Sequence, residues 1–176
     1  MNNDEFKKRR ELKIKVITLS DRAYRGEYKD LSGPEIVATI NNYFTEKEWN
    51  FKTSLGVIPD DAEQLESLLL KAKHNKVDIV ITTGGTGIGP RDFTPEVAKK
   101  VIEKEIPGIM ENIRLKFGQN VPNALLSRGI AGVLGKTQLY CLPGSLKAVK
   151  EYMGEILKTL EHLIFMLHGV DVHTKH

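Results

Sequence analysis

A short apolar run, residues 77–81, leads straight into Thr82-Thr83-Gly84-Gly85-Thr86-Gly87-Ile88-Gly89-Pro90-Arg91-Asp92-Phe93-Thr94-Pro95-Glu96. The run is short and apolar enough to be a strand buried on both faces. Thr94-Pro95-Glu96 reads as a helix start, with Thr as cap, Pro at the first helical position and Glu at the positive dipole end. A buried strand, a glycine turn and a helix in that order confine the chain to the α/β classes. The turn also carries chemistry, because glycine-rich strand-to-helix turns expose backbone N–H groups that can cradle phosphate oxygens. Arg91 can neutralise phosphate charge and Asp92 can hold a hard cation such as Mg²⁺. Asp92 reads either as a local partner of Arg91 or as a ligand, and with Thr94 placed to cap the helix the ligand reading is favoured.

The remaining chain repeats the alternation of strand and helix. Residues 12–19 form a first strand, and Ser32-Gly33-Pro34-Glu35 has the spacing of a capping box ahead of a helix carrying Ile36, Val37, Ile40 and Phe44. Residues 51–58 form a second strand, followed by Asp61 as a helix cap. Residues 77–82 are the third. The helix after Thr94 is expected to end near residues 106–107, and another covers 109–117. Residues 129–134 and 137–142, separated by Gly135-Lys136, predict an antiparallel hairpin. A last helix starts at Ser145 and places Val149, Met153, Ile156, Leu160, Leu163 and Leu167 in one stripe. The expected fold is therefore a three-layer α/β/α arrangement, a mostly parallel sheet with an antiparallel hairpin at one edge. Residues 12–170 make a single domain, between a solvated N-terminal tail (1–11) and a C-terminal tail (171–176).

In an open α/β sheet, ligands sit outside the carboxyl ends of the strands. Four loops follow strand ends here: Ser20-Asp21-Arg22, Pro59-Asp60-Asp61, the glycine loop through Asp92, and Pro143-Gly144-Ser145. In a parallel sheet they converge, so residues remote in sequence would share one pocket. Asp61 is accounted for as a cap, which leaves Asp60 as the better ligand of that pair. Asp21 could pair locally with Arg22 or Arg25 or serve the pocket, and the two readings weigh equally. Ser145 fits both an N-cap and an anion contact, and the two are compatible.

Other chemistries are poorly served. No Gly-Lys-Ser/Thr follows the glycines, and the last glycine of a dinucleotide fingerprint would fall at Pro90. The five histidines lack zinc-protease spacing, and a lone cysteine, Cys141, cannot build a thiolate zinc site. Cys141 sits in an apolar run and reads as a small core residue. A single cysteine and a polar amino terminus fit a cytoplasmic protein. The net charge of +3, much of it in Lys7-Lys8-Arg9-Arg10, is too weak to suggest nucleic acid or membrane as partner. No apolar run approaches the roughly 20 residues of a membrane span.

With these residues in view, the chain resembles the molybdenum-cofactor biosynthesis family that includes bacterial MogA and MoaB and the G domains of gephyrin and its plant counterpart. The resemblance covers residues 14–167. It rests on Gly-Gly-Thr-Gly followed by Pro-Arg-Asp-x-Thr-Pro-Glu, on Val-Ile-Glu-Lys-Glu-Ile-Pro-Gly at 101–108, and on Leu126-Ser127-Arg128. Leu142-Pro143-Gly144-Ser145, Ser20-Asp21-Arg22, Asp30-Leu31-Ser32-Gly33-Pro34 and Ile58-Pro59-Asp60 agree in order. The chain departs at Leu146, where the family often has Pro; the expected cost is a little stability. The resemblance implies adenylyl transfer: the terminal phosphate of molybdopterin attacks the α-phosphate of Mg-ATP. Asp60 and Asp92 match the family's essential carboxylates and would hold Mg²⁺. Gly84, Gly85, Thr86 and Gly87 would bind phosphate, with Asp21, Asp30, Ser32, Arg91, Ser127, Arg128, Gly144 and Ser145 as further pocket residues. It also implies a homotrimer or hexamer, for which the apolar positions in 109–117 offer an interface, and hand-over to a molybdate-inserting protein. With no long extension, a stand-alone protein is expected rather than a fusion. The alternative is a MoaB-like protein that binds molybdopterin, or a precursor, without efficient catalysis.

Overall fold

The computed structural model describes residues 3–170. Six strands form one sheet: β1 (Glu11–Leu19), β2 (Asn50–Ile58), β3 (Ile79–Thr83), β4 (Lys104–Glu105), β5 (Ile130–Leu134) and β6 (Thr137–Leu142), in the spatial order β2-β1-β3-β6-β5-β4. β2, β1, β3 and β6 run parallel, β5 is antiparallel to β6, and β4 is antiparallel to β5. The helices are α1 (Asn3–Arg9), α2 (Asp21–Tyr24), α3 (Ser32–Glu46), α4 (Ala62–His74), α5 (Thr94–Val101), α6 (Pro107–Gly118) and α7 (Leu146–Leu167), with a 3₁₀ turn at Pro122–Leu126.

Side chains alternate across each strand, and the two sets feed two separate cores. Ile14 and Val16 of β1, Ile81 of β3 and Tyr140 of β6 pack under α3, α6 and α7. Ile17 and Leu19, Val80, and Leu139 and Cys141 pack under α4 and α5. Strands that alternate yet are apolar on both faces give the near-continuous hydrophobic runs seen in the sequence. Burial pushes the Cys141 thiol up to about 12, so it behaves as the small core residue its setting suggested. Gln138 and Tyr140 are also fully buried, and each finds a partner: the Tyr140 hydroxyl donates to Gln138 Oε1 at 2.6 Å, and Gln138 Nε2 donates to the Leu160 carbonyl at 3.2 Å.

The chain steps from β1 through α3 to β2, then back through α4 to β3 on the other side of β1. That reversal opens a crevice beyond the carboxyl ends of β1 and β3, the switch point where open sheets take their ligands.

Four expectations are corrected. Ser32 does not close a capping box. Its hydroxyl donates to the Gly144 carbonyl at 2.8 Å, while Asp30 Oδ1 accepts from the amides of Ser32 and Gly33, both at 3.0 Å. Thr94 does not cap α5 either, because its hydroxyl donates to the Gly84 carbonyl at 2.9 Å. The α5 helix stops at Val101, short of residues 106–107, since Glu103 and Ile106 donate to the carbonyls of Val133 and Ala131 and lay β4 beside β5. The expected N-terminal tail contains α1, whose Phe6 is buried against Trp49 and Phe165. Lys7 Nζ lies 2.7 Å from Glu161, and Arg10 pairs with the buried Asp78. The expected C-terminal tail, 171–176, lies outside the described residues.

The α6–α7 contact includes Glu155, which takes Lys116 at 2.5 Å and Lys158 at 2.7 Å; these bonds hold its carboxyl at about 2 against an ordinary 4.5. A depressed carboxyl contributes stability that is present above pH 4.5 and fades as pH falls toward 2. Urea unfolding of the parent and of Glu155→Gln should therefore differ most near neutrality, with the gap closing between those two pH values.

Candidate functional site

The turn leaving β3 begins where backbone from three strands crowds together. Gly84 N donates to the Leu142 carbonyl at 3.0 Å, and the Thr83 hydroxyl donates to the Pro143 carbonyl at 2.8 Å. Gly84 and Gly85 adopt φ of +106° and +67°, a region that disfavours side chains. Space is lacking as well: a Cβ at Gly84 would strike the Leu19 carbonyl oxygen, and one at Gly85 the Thr94 hydroxyl. Thr94 completes the turn, donating its amide to the Gly85 carbonyl at 3.0 Å. Gly144 packs on Gly84 from the β6 side, so the loops after β1, β3 and β6 meet as the strand order requires.

A cavity of about 700 Å³ opens at this junction. Gly84, Gly85, Thr86, Gly87, Asp92, Ser127, Gly144 and Ser145 line it, all of them residues singled out from sequence. Asp92 folds back over its own loop, with Oδ2 accepting from Gly89 N at 2.8 Å. Its Oδ1 takes no hydrogen bond among the described residues. Ser145 caps α7, accepting from Ala148 N at 3.3 Å, and also lines the cavity.

The β2 end contributes a neighbouring cluster rather than the cavity wall. Asp21 and Asp60 exchange bonds: Asp60 N donates to Asp21 Oδ1 at 2.9 Å, and Asp21 N donates to Asp60 Oδ2 at 3.2 Å. Arg91 pairs with Asp21 and stands 3.8 Å from Asp60. The Arg91 hydrogen bond, with the Asp60 amide behind it, holds the Asp21 carboxyl below the ordinary carboxylate range. Arg91 thus pairs with Asp21 of the β1 loop, not with its neighbour Asp92.

Three further residues from the sequence reading act on the framework. Asp30 caps α3 and accepts from the Thr18 hydroxyl at 2.7 Å. Ser32 fastens α3 to Gly144. Arg128 points at backbone, donating Nε to the Gly87 carbonyl at 2.7 Å and an Nη to the Asp92 carbonyl at 2.6 Å.

The sequence reading passed over Tyr152, Lys147, Glu151 and Asn123, all on the cavity wall. Tyr152 is 3% exposed and donates to Ser127 Oγ at 2.7 Å; burial raises its phenol, and the bond to Ser127 offsets part of the rise. Its signal was present in the spacing Ser145, Ala148, Tyr152, which puts all three on one face of α7. Lys147, 3.9 Å from Glu151, adds a cationic group at the rim.

Mg²⁺ keeps several waters and binds through one or two carboxylates together with phosphate oxygens. The described residues gather no group of three or more His, Cys, Asp or Glu for a metal, which leaves that shared mode. Asp60 and Asp92 offer oxygen donors, and the Asp21–Asp60 pair already accepts a cation in Arg91, so the donor chemistry fits.

A glycine turn that exposes amides to a cavity at the switch point of a doubly wound sheet defines a ligand-binding α/β protein. Residues 15–162 match the family described as a probable molybdopterin binding domain, and the chain belongs to that family. It is 35% identical to the molybdopterin adenylyltransferase of Helicobacter pylori strain J99 over 158 residues, 89% of this chain and 88% of that protein. Gephyrin of Dictyostelium discoideum is 39% identical over 169 residues, 93% of this chain but only 23% of that longer protein. The solved structure of the molybdopterin biosynthesis enzyme MoaB from Thermus thermophilus superposes with a TM-score of 0.79 at 33% identity, covering 90% of this chain and 97% of that one. None of the described helices is long and apolar enough to cross a membrane.

Because Gly84 combines a left-handed φ with backbone at van der Waals limit, Gly84→Ala should cost about 2–4 kcal/mol. Chemical denaturation monitored by circular dichroism measures it, and a change under about 0.5 kcal/mol would contradict the packing described.

Proposed function

We propose that the chain is a molybdopterin adenylyltransferase. The observation that carries this reading is the cavity itself: glycine-loop amides, Asp92 and the start of α7 converge on one space in a chain of this family. A terminal phosphate oxygen of molybdopterin attacks the α-phosphorus of ATP. One P–O bond forms, the bond from the α-phosphorus to the bridging oxygen breaks, and pyrophosphate leaves with that electron pair. The amides of residues 85–87 and the α7 amino terminus face the phosphates, while the Gly84 amide holds the turn to Leu142, and Lys147 offsets the phosphate charge at the rim. Mg²⁺, held by Asp60 and Asp92 together with phosphate oxygens, would screen the two phosphates from each other.

Tyr152 and Ser127 form a fixed polar wall, while Val121 and Leu126 give the cavity an apolar side for a ring system. Assembly as a trimer or hexamer, hand-over to a molybdate-inserting protein and a cytosolic location complete the reading. Leu115 of α6, 66% exposed, supports an interface on that helix. The likeness to MoaB favours a second reading, binding of molybdopterin without efficient transfer.

Incubation with molybdopterin, ATP and Mg²⁺, assayed for adenylylated pterin and pyrophosphate, separates the two. Product should form, vanish with EDTA, and fall by roughly 10²-fold or more in Asp92→Asn, with the fold retained. Tight pterin binding without product would establish the second reading, and an Asp92→Asn enzyme of full activity would remove the carboxylate from the mechanism.

A further inference from the structure

We propose that Arg128 is a positioning residue that sets the Asp92 carboxylate by holding the main chain of its loop, a refinement that rests on the adenylyl-transfer reading. The guanidinium lies outside the cavity and reaches the loop from behind. Nε donates to the Gly87 carbonyl at 2.7 Å, one Nη donates to the Asp92 carbonyl at 2.6 Å, and the other pairs with Glu96 in the first turn of α5. The Arg128 amide adds a bond to the Thr86 carbonyl at 3.0 Å. One residue thus ties the loop at its start, at its end and at the helix that follows.

The main chain of the loop has few other ties. Between Gly87 and Asp92 the internal bonds are the Asp92 amide to the Gly89 carbonyl at 3.0 Å and the Asp92 carboxylate to Gly89 N. Both close the same small ring, and its orientation against the sheet is left to the exposed Arg91 side chain on Asp21 and to Arg128 on the main chain. The planar fork supplies its part of that orientation, since it presents donors at fixed angles to two carbonyls and a carboxylate at once. Lys presents its three donors from a single nitrogen and lacks the planar fork that reaches the Gly87 and Asp92 carbonyls and Glu96 together. Arg128 makes no contact with the Asp92 carboxylate, so its effect passes through the backbone.

The prediction is a split in kinetic constants. Arg128→Ala should lower kcat for adenylylated pterin by roughly 10²-fold, the usual cost of about an ångström of misplacement, while KM for ATP and the molybdopterin Kd change by less than about threefold. Arg128→Lys should resemble Arg128→Ala, and added guanidinium ion at millimolar concentration should restore part of the turnover of Arg128→Ala alone. Amide hydrogen exchange on the same proteins gives a reading that needs no turnover. Residues 86–92 should exchange faster in both variants while the strands keep parental protection. Loss of pterin or ATP binding in step with kcat would overturn the inference by making Arg128 a substrate contact. Unchanged kcat, or unchanged exchange in the loop, would overturn it too. A parent enzyme that makes no product refutes the adenylyl-transfer reading instead, and the exchange comparison then judges Arg128 by itself.

Discussion

The structure turns on the closeness of β3 to its neighbours at the point where the chain leaves the sheet. Thr83 and Gly84 are bonded to the β6 loop, and Gly84 lies against the last carbonyl of β1 with no room for a side chain. This contact lets three loops share one junction. It also turns the amides of the following residues toward the cavity, because a chain with φ of +106° and +67° at consecutive residues cannot continue as strand or helix. Thr94, buried below the turn, then commits the chain to α5. Fold and site are set by the same few bonds.

Two chemical regions arise from that junction and meet at neighbouring residues of the chain. Asp92 faces the cavity, while Arg91 reaches away to Asp21 and Asp60 on the β1 and β2 loops. The reciprocal amide bonds of Asp21 and Asp60 fix those two loops together. Arg91, which is 66% exposed, is the cation that joins this pair to the glycine loop.

Much of this was legible in the sequence. The apolar alternation gave the strands, and the parallel order followed from the helices between them, so the meeting of the loops after β1, β3 and β6 needed no contact information, although Asp21 and Asp60 stand beside the cavity rather than in its wall. Asp61 and Ser145 were readable as caps because their partners lie three residues away. The misreadings share a cause. Ser32 and Thr94 stand in good local capping patterns, but each hydroxyl is claimed by a carbonyl beyond the reach of a cap, Gly144 in one case and Gly84 in the other. Arg128 was implied as a pocket residue by the family resemblance, and only the three-dimensional packing reveals that its donors are spent on the chain. β4 escaped notice because two residues, Lys104 and Glu105, carry too little pattern to announce a strand. The α1 helix was hidden by the basic run around it, although Phe6 is the residue that anchors it.

The glycines of the loop divide into two kinds. Gly84 and Gly85 answer to the sheet and to Thr94, whereas a Cβ at Gly87 or Gly89 would meet Asp92 Oδ2, at 2.7 Å and 2.9 Å. The second pair therefore faces the end of one carboxylate side chain rather than backbone. A lineage that kept the fold but gave up that carboxylate would keep the first two glycines under full constraint and lose the pressure on the others. Side chains at 87 and 89 would then accumulate as a scar of lost chemistry, readable in a bare sequence before any assay.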